Sequence, residues 1–220
     1  RDGVFYLLCT IDMPEDTPLD PQDVLGVDLG VVNLATTSDG TTHSGAGVEA
    51  CRTRYAKRRQ RLQRAAHVAQ MDGKRPRRMR YALRRMARKE SGFRRDVNHC
   101  ISKTLVAAAK GTERGIALED LKDIRSQTRF RKPQRARMAA WAFAQLRRFV
   151  EYKAQLAGVP VVLVDPKHTS QGCNRCGHIA RANRQTQARF SCKQCDYTTN
   201  ADFNAEINIR NRARLKVPLV

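Results

Sequence analysis

Residues 24–44 read VLGVDLGVVNLATTSDGTTHS. VLGVDLG at 24–30 is an apolar run broken by a single acid, Asp28. VNLATTS at 32–38 follows, and Asp39-Gly40 is the strongest short hairpin signal a sequence offers. A third short strand over 41–44 completes a β-meander, with Asp28 on its first strand. Upstream, VFYLLCTI at 4–11 reads as a further strand. PEDTPLDPQD at 14–23 reads as a loop, because its three prolines cannot join a ladder.

Downstream the periodicity changes. Residues 52–70 and 77–110 predict two helices joined by a turn at Asp72-Gly73 and Pro76. In the second arm Met79, Leu83, Met86, Phe93, Val97 and Cys100 alternate by threes and fours, interrupted by Glu90, and predict a seam. Gly92 weakens that helix. GIALEDL at 115–121 and VPVVLVD at 159–165 are short buried strands. Residues 125–138 are basic and loop-like. An amphipathic helix is expected over 141–157, carrying Ala142, Leu146, Phe149, Val150, Lys153, Leu156 and Ala157 on one face and ending at Gly158. Residues 201–214 form a last helix. The order predicts a mixed α/β sheet with acids at strand ends.

The chain has 220 residues, room for one domain or one domain plus a small module. No apolar run approaches the roughly 18 residues of a membrane span, and nothing at Arg1 reads as a signal peptide. A membrane partner is not expected. Lys and Arg number 42 against 21 Asp and Glu, a net charge of +21, which points to a polyanion. The charge is uneven. Residues 52–95 hold 18 Lys or Arg against 2 acids. A solvated helix face is the plain reading of a charge run, but an excess this large favours a phosphate backbone. Arg54, Lys57, Arg58, Arg61, Arg77, Arg78, Arg84, Arg85 and Arg88 are the candidate contacts. Aromatics are few, so stacking on bases is expected to be secondary.

Three acids stand out. Asp28 interrupts an apolar strand, where an unpaired charge is costly. Glu119 ends a second buried strand, and Asp202 begins the last helix. Together they would form an oxygen-only site for Mg²⁺ or Mn²⁺, and two such ions would suit phosphodiester hydrolysis. Each also has a plainer reading: a strand-end acid at 28, an arginine partner at 119, a helix N-cap at 202. Asp120 and Asp165 are rivals.

Cys173-x-x-Cys176 and Cys192-x-x-Cys195, fifteen residues apart, fit a four-cysteine zinc pattern. Four protein ligands leave no open position, so one structural Zn²⁺ is expected. Redox or disulfide pairs are the alternatives, and His178 is a rival ligand. Arg175, Arg181, Arg184, Arg189 and Lys193 surround the module.

VDLG around Asp28, LEDL around Glu119, T-S-Q-x-C-x-x-C-G at 169–177 and A-D-x-N-A-x-x-N-I at 201–209 together resemble the TnpB/OrfB proteins of insertion sequences. These are transposon-associated, RNA-guided DNA nucleases related to compact type V CRISPR effectors. The resemblance runs from Arg1 to about Ile209. It implies a ribonuclease H-like (RuvC) fold over 23–168, with the basic hairpin 52–110 as an insertion that contacts the guide–target duplex. It implies a zinc ribbon over 169–199 and a last helix and tail over 200–220. It selects Asp28, Glu119 and Asp202 as catalytic acids, Glu119 over Asp120, and gives Asn204 and Asn208 the role of supporting the helix around Asp202 or of capping nearby backbone. It implies DNA and guide RNA as partners, and a prokaryotic, cytoplasmic, nucleoid-associated protein. Family members carry a longer amino-terminal region, so residues 1–22 are read as the remnant of a preceding β domain. The competing function is a nucleic-acid-binding remnant without catalysis. Oligomeric state is left open.

Overall fold

Strands β1 (Val24–Asp28) and β4 (Gly115–Glu119) lie side by side in parallel, paired from Val24↔Gly115 to Val27↔Leu118. The computed structural model describes residues 5, 7, 9–121, 143–186 and 188–214. β2 (Asn33–Thr37) and β3 (Thr42–Ser44) complete the meander on one side of β1, both antiparallel. β5 (Val161–Val164) adds in parallel beyond β4, giving the order β3-β2-β1-β4-β5. The meander turns as its Asp39-Gly40 signal predicts, with Gly40 at φ 83°, a left-handed conformation that glycine adopts without strain.

Side chains along a strand alternate between faces, and here the two faces have different jobs. Leu25, Val27, Ile116 and Leu118 point to one side and pack against Ile101, Leu105 and Leu146. Val24, Ala117 and Val164 point to the other and pack against Ile209 and Ala213. Two helices cover the first side: the end of α2 (Arg77–Gly111) and α3 (Phe143–Leu156). The last helix, α4 (Ala201–Arg214), covers the second. It crosses closely because β1 carries a glycine there. A Cβ at Gly26 would stand 2.5 Å from the Glu206 carbonyl oxygen and 3.0 Å from Arg210 Cβ. At the far end of α4, Arg210 and Arg214 both bind Asp23, immediately before β1.

The basic hairpin is built from α1 (Ala46–Met71) and the first half of α2, joined through Gly73 in the left-handed region. The expected seam holds only in part. Met86 is buried and Met79 and Leu83 are half-buried, but Phe93 and Cys100 are exposed. The reason is a change of partner. The first half of α2 faces α1, whereas its second half turns Asn98, Ile101, Leu105 and Ala109 toward the sheet and α3. Glu90, the break in the apolar stripe, is itself buried and forms an ion pair with Arg59 of α1. The strand expected over 4–11 is corrected: Phe5, Leu7 and residues 9–11 have no regular structure, and Phe5 and Leu7 are almost fully exposed. Apolar, β-branched residues do not make a strand without a neighbouring edge to pair with. The basic stretch 125–138, Trp141 and Ala142 lie outside the described residues.

Two glycines separate packing from propensity. Gly26→Ala is expected to lose about 1–3 kcal/mol in denaturant unfolding, because α4 must lift from the sheet. Gly92→Ala, with open space around it inside α2, is expected to gain about 0.5–1 kcal/mol.

Candidate active site and metal centre

The alternation that sorts the core also sorts the acids. Asp28 continues the parity of Val24 and Gly26, and Glu119 that of Ala117. Both therefore stand at the C-terminal ends of adjacent parallel strands, on the face that α4 covers. Strand ends of this kind are where open α/β sheets bind their ligands. Asp202 comes to the same place from α4. It is not the helix cap: Asn200 fills that role, its Oδ1 accepting the backbone N–H groups of Asp202 (2.8 Å) and Phe203 (3.2 Å). The Asp202 carboxylate is left free to face the sheet.

Two of the three acids, Asp202 and Glu119, are held by side chains of neighbours. Asn33 of β2 donates its side-chain amide to Asp202 Oδ2 at 3.0 Å. Arg184 lies 3.4 Å from Asp202 Oδ1. The Thr169 hydroxyl donates to Glu119, and both residues are buried. The rivals have other partners, although Asp165 stands near enough to Glu119 to push its carboxyl up further. Asp120 pairs with Arg147 of α3 at 2.6 Å, and Asp165 is exposed and accepts the Lys167 N–H.

The mutual electrostatics agree with close approach. Burial, then the nearby charges of Glu119 and Asp202, push the Asp28 carboxyl up to about 7, against the pull of Arg184. Burial also raises Glu119, opposed by the Thr169 hydrogen bond and by Arg212 and Arg184. A second acid of α4, Glu206, is fully buried and is pushed up to about 9 by burial, Asp28 and Asp202. Neither of its oxygens has a hydrogen-bond partner among the described residues. Buried, mutually repelling carboxyls with an orphaned pair of oxygens fit a hard cation, which oxygen donors hold.

The cysteines form a different kind of site. The Sγ atoms of Cys173, Cys176, Cys192 and Cys195 lie within 4.8 Å of one another, and among the described residues they are the one group of donors that does so; the carboxylates are spaced more widely. Cys173–Cys195 and Cys176–Cys192 are 3.7 and 3.6 Å apart. A tetrahedron with metal–sulfur bonds of about 2.3 Å puts sulfurs about 3.8 Å apart, so the four thiols fit one ion. The two knuckles share a design. The residue after each second cysteine is left-handed, Gly177 at φ 76° and Asp196 at φ 54°. Cys173 and Cys192 each donate their N–H to a carbonyl five residues on, at His178 and Tyr197. His178 offers that carbonyl and is not part of the thiol cluster. β6 (Arg189–Ser191) and β7 (Thr198–Asn200) pair beneath, and buried Phe190 fills the module's small core.

Two asparagines of α4 fasten this module to the helix that carries Asp202, and a third, Asn183, braces the module from within. Asn204 donates to the Gly172 carbonyl at 2.8 Å and accepts the Asn174 N–H at 3.1 Å. Asn208 donates to the carbonyls of Thr169 (2.9 Å) and Gly172 (2.8 Å). Asn183 binds the carbonyls of Gln171 and His178. Of the two roles expected for Asn204 and Asn208, the hydrogen bonds are those of the second, the capping of nearby backbone, at the module's base. Sequence reading missed Asn33, Thr169, Arg184 and Glu206 as neighbours of the acids. Only Glu206 left a usable signal, its spacing of four from Asp202 on a helix.

On the hairpin, Arg54, Lys57, Arg58, Arg61, Arg77, Arg78, Arg84, Arg85 and Arg88 are all exposed. Tyr55, Arg58, Tyr81, Arg85 and Lys89 line a groove between the two helices. α1 extends about 39 Å at 1.5 Å per residue, so the charge is spread along a rod. No helix among the described residues is long and apolar enough to cross a membrane.

Residues 8–122 match a family described as probable transposase, OrfB_IS605. Residues 143–209 match the Cas12f1-like TNB domain. The chain is 33% identical over 219 residues to the CRISPR-associated endodeoxyribonuclease Cas12f1 of Sulfoacidibacillus thermotolerans, covering 95% of this chain and 50% of that protein. It is 27% identical over 161 residues to a TnpB-like protein of Methanocaldococcus jannaschii, covering 73% of this chain and 55% of the archaeal one. The chain spans about half the length of the curated relatives it matches. Its fold is similar to that of a CRISPR-Cas12f in a ternary complex, with a TM-score of 0.67 at 22% identity over 92% of this chain and 41% of that one. It is also similar to that of Cas12f1 in a complex with sgRNA and target DNA, with a TM-score of 0.63 at 19% identity over 91% and 51%.

The raised carboxyls set a pH dependence. Below its folded value near 7, Asp28 keeps a proton that the unfolded chain releases near 3.8. Folding therefore takes up a proton in that window, and stability falls as pH rises through it. Glu206 acts in the same direction, while His43, lowered by burial, acts in the opposite one. The denaturation midpoint without added magnesium is expected to fall from about pH 5 to about pH 7.5 more steeply than in Asp28→Asn. Equal slopes in the two proteins would contradict the crowding of Asp28.

Proposed function

We propose, from the premise that this chain belongs to the IS605 OrfB family of probable transposases, that it is the nuclease core of a transposon-associated DNA endonuclease directed by a guide RNA. The relatives' names supply the substrate class: one is an endodeoxyribonuclease, and one solved neighbour is a complex with sgRNA and target DNA. The observation that carries the reading is the arrival of Asp28, Glu119 and Asp202 on one face from three elements, beside a basic hairpin. The sheet order, with an antiparallel meander followed by two parallel strands, supports a ribonuclease H-like, RuvC-type domain.

In this reading Asp28, Glu119 and Asp202 hold two Mg²⁺ or Mn²⁺ ions. Such ions, when bound, would activate the attacking water and stabilise the leaving oxygen of the phosphodiester. Asn33 and Thr169 fix the carboxylates that they bind, so the acids do not depend on solvent for their orientation. Arg184, set against Asp202, holds a non-bridging phosphate oxygen of the strand being cut. The exposed Arg and Lys of α1 and α2 hold the rest of the polyanion through its phosphates. The four thiolates hold one structural Zn²⁺, and the asparagine bridges transmit that order to Arg184 and Thr169.

Labelled single-stranded DNA is expected to be cleaved in Mg²⁺ or Mn²⁺. Asp28→Asn, Glu119→Gln and Asp202→Asn should each lower the rate by about two orders of magnitude or more while DNA retention persists. Equal cleavage by all four proteins would overturn the assignment. The absence of cleavage by any of them, with retention that weakens steeply in salt, would instead support a silent nucleic-acid-binding remnant.

Elemental analysis is expected to find one zinc per chain. Its removal should lower the melting temperature by about 5 °C or more, since metal binding there is coupled to folding. A zinc-free chain with an unchanged melting temperature would refute the structural role.

A further inference from the structure

Helix α4 carries a fourth acid that the reaction proposed above leaves unused. Glu206 stands four residues after Asp202, so the two share one face of the helix, a turn apart. Helical side chains lean toward the N-terminus, which directs Glu206 toward Asp202 and the end of β1. The turn that carries it is seated directly on β1 at Gly26. The side chain is 0% exposed, and both carboxyl oxygens lack a partner among the described residues. The charged groups that act on it, Asp28 and Asp202, are both negative. The arginines further along α4 are engaged elsewhere: Arg210 and Arg214 with Asp23, and Arg212 with the Asp165 carbonyl. A buried carboxyl with no donor and no counter-charge is costly in either protonation state. A divalent cation shared with its acidic neighbours would remove that cost.

We propose that Glu206 is a fourth carboxyl ligand, direct or through a bound water, of the divalent-cation site formed by Asp28, Glu119 and Asp202. This rests on the nuclease reading. An oxygen-only set of four carboxyls selects Mg²⁺ or Mn²⁺ over softer metals. Glu206 comes from α4, as Asp202 does, whereas Asp28 and Glu119 come from β1 and β4.

Manganese binding to the zinc-replete chain, followed by titration calorimetry and by the Mn²⁺ spin-resonance signal, tests this without reference to cleavage. Glu206→Gln, nearly the same shape, is expected to weaken Mn²⁺ binding about 10-fold or more. Glu206→Met should weaken it at least as much while raising the melting temperature without added Mn²⁺, because it replaces an unpartnered acid with an apolar chain of similar size. Asp28→Asn is the reference. If Asp28→Asn weakens binding and neither Glu206 variant does, Glu206 is a packing residue and the proposal falls alone. If Asp28→Asn has no effect, the acid site itself is wrong and the proposal falls with it.

Discussion

The close approach of α4 to β1 is the constraint from which the site follows. A helix can cross a sheet at this distance only where the strand has no side chain in the way, and Gly26 supplies that gap under Glu206 and Arg210. Asp23 clamps the far end of the helix through two arginines. It is a carboxylate that burial would raise but that Arg210 and Arg214 hold well below the usual range. Asn200 caps the near end. With both ends fixed, Asp202 has little choice of position. It faces the ends of β1 and β4, where strand alternation has already put Asp28 and Glu119. Gathering acids in this way opposes folding by itself, as their raised carboxyls record. The dense apolar packing of Val24, Ala117, Val164, Ile209 and Ala213 under α4 compensates for it.

The cysteine module is part of this arrangement rather than an appendage. Each of its knuckles is a local turn, and the β6–β7 pair and Phe190 bring the two knuckles together. Its base, however, is tied to α4 by Asn204 and Asn208 and to the acids by Arg184 and Thr169. Buried amides that each satisfy two backbone groups are sensitive to small shifts, because a lost bond inside leaves a polar group unpaired. Order in the module is therefore order at the acids, and Arg184, a cation from the module, balances a site otherwise negative.

The hairpin shows how one helix serves two purposes. α2 is a continuous rod of 35 residues. Its C-terminal half belongs to the core, and its N-terminal half stands out with α1 as a basic arm. The ion pair between buried Glu90 and part-exposed Arg59 ties the two arms together across an otherwise apolar seam. The exposed arginines face solvent all along the arm and provide charge without much shape. Such a surface suits contact with a phosphate backbone better than recognition of bases.

Much of this was legible in the sequence. Short apolar runs bounded by Gly and Pro marked the strands of the central sheet, Asp39-Gly40 marked the meander turn, and two C-x-x-C pairs marked the thiol cluster, because these signals are local: a turn or a knuckle is decided by the residues in it. Asp28, Glu119 and Asp202 could be named as odd acids in apolar or capping surroundings. Their arrival on one face depends on strand parity combined with the Gly26 crossing, which no local pattern contains. The strand expected over 4–11 failed for the same reason in reverse, since a strand exists only by pairing with a neighbour. Phe93 and Cys100 fell out of the seam because α2 changes partner along its length. Residue types and spacing determined the elements and the thiol cage. The tertiary structure alone decided which acids meet, which arginine faces them and that Glu206 lies buried beside them, because contacts between separate elements are set by how helices and strands pack.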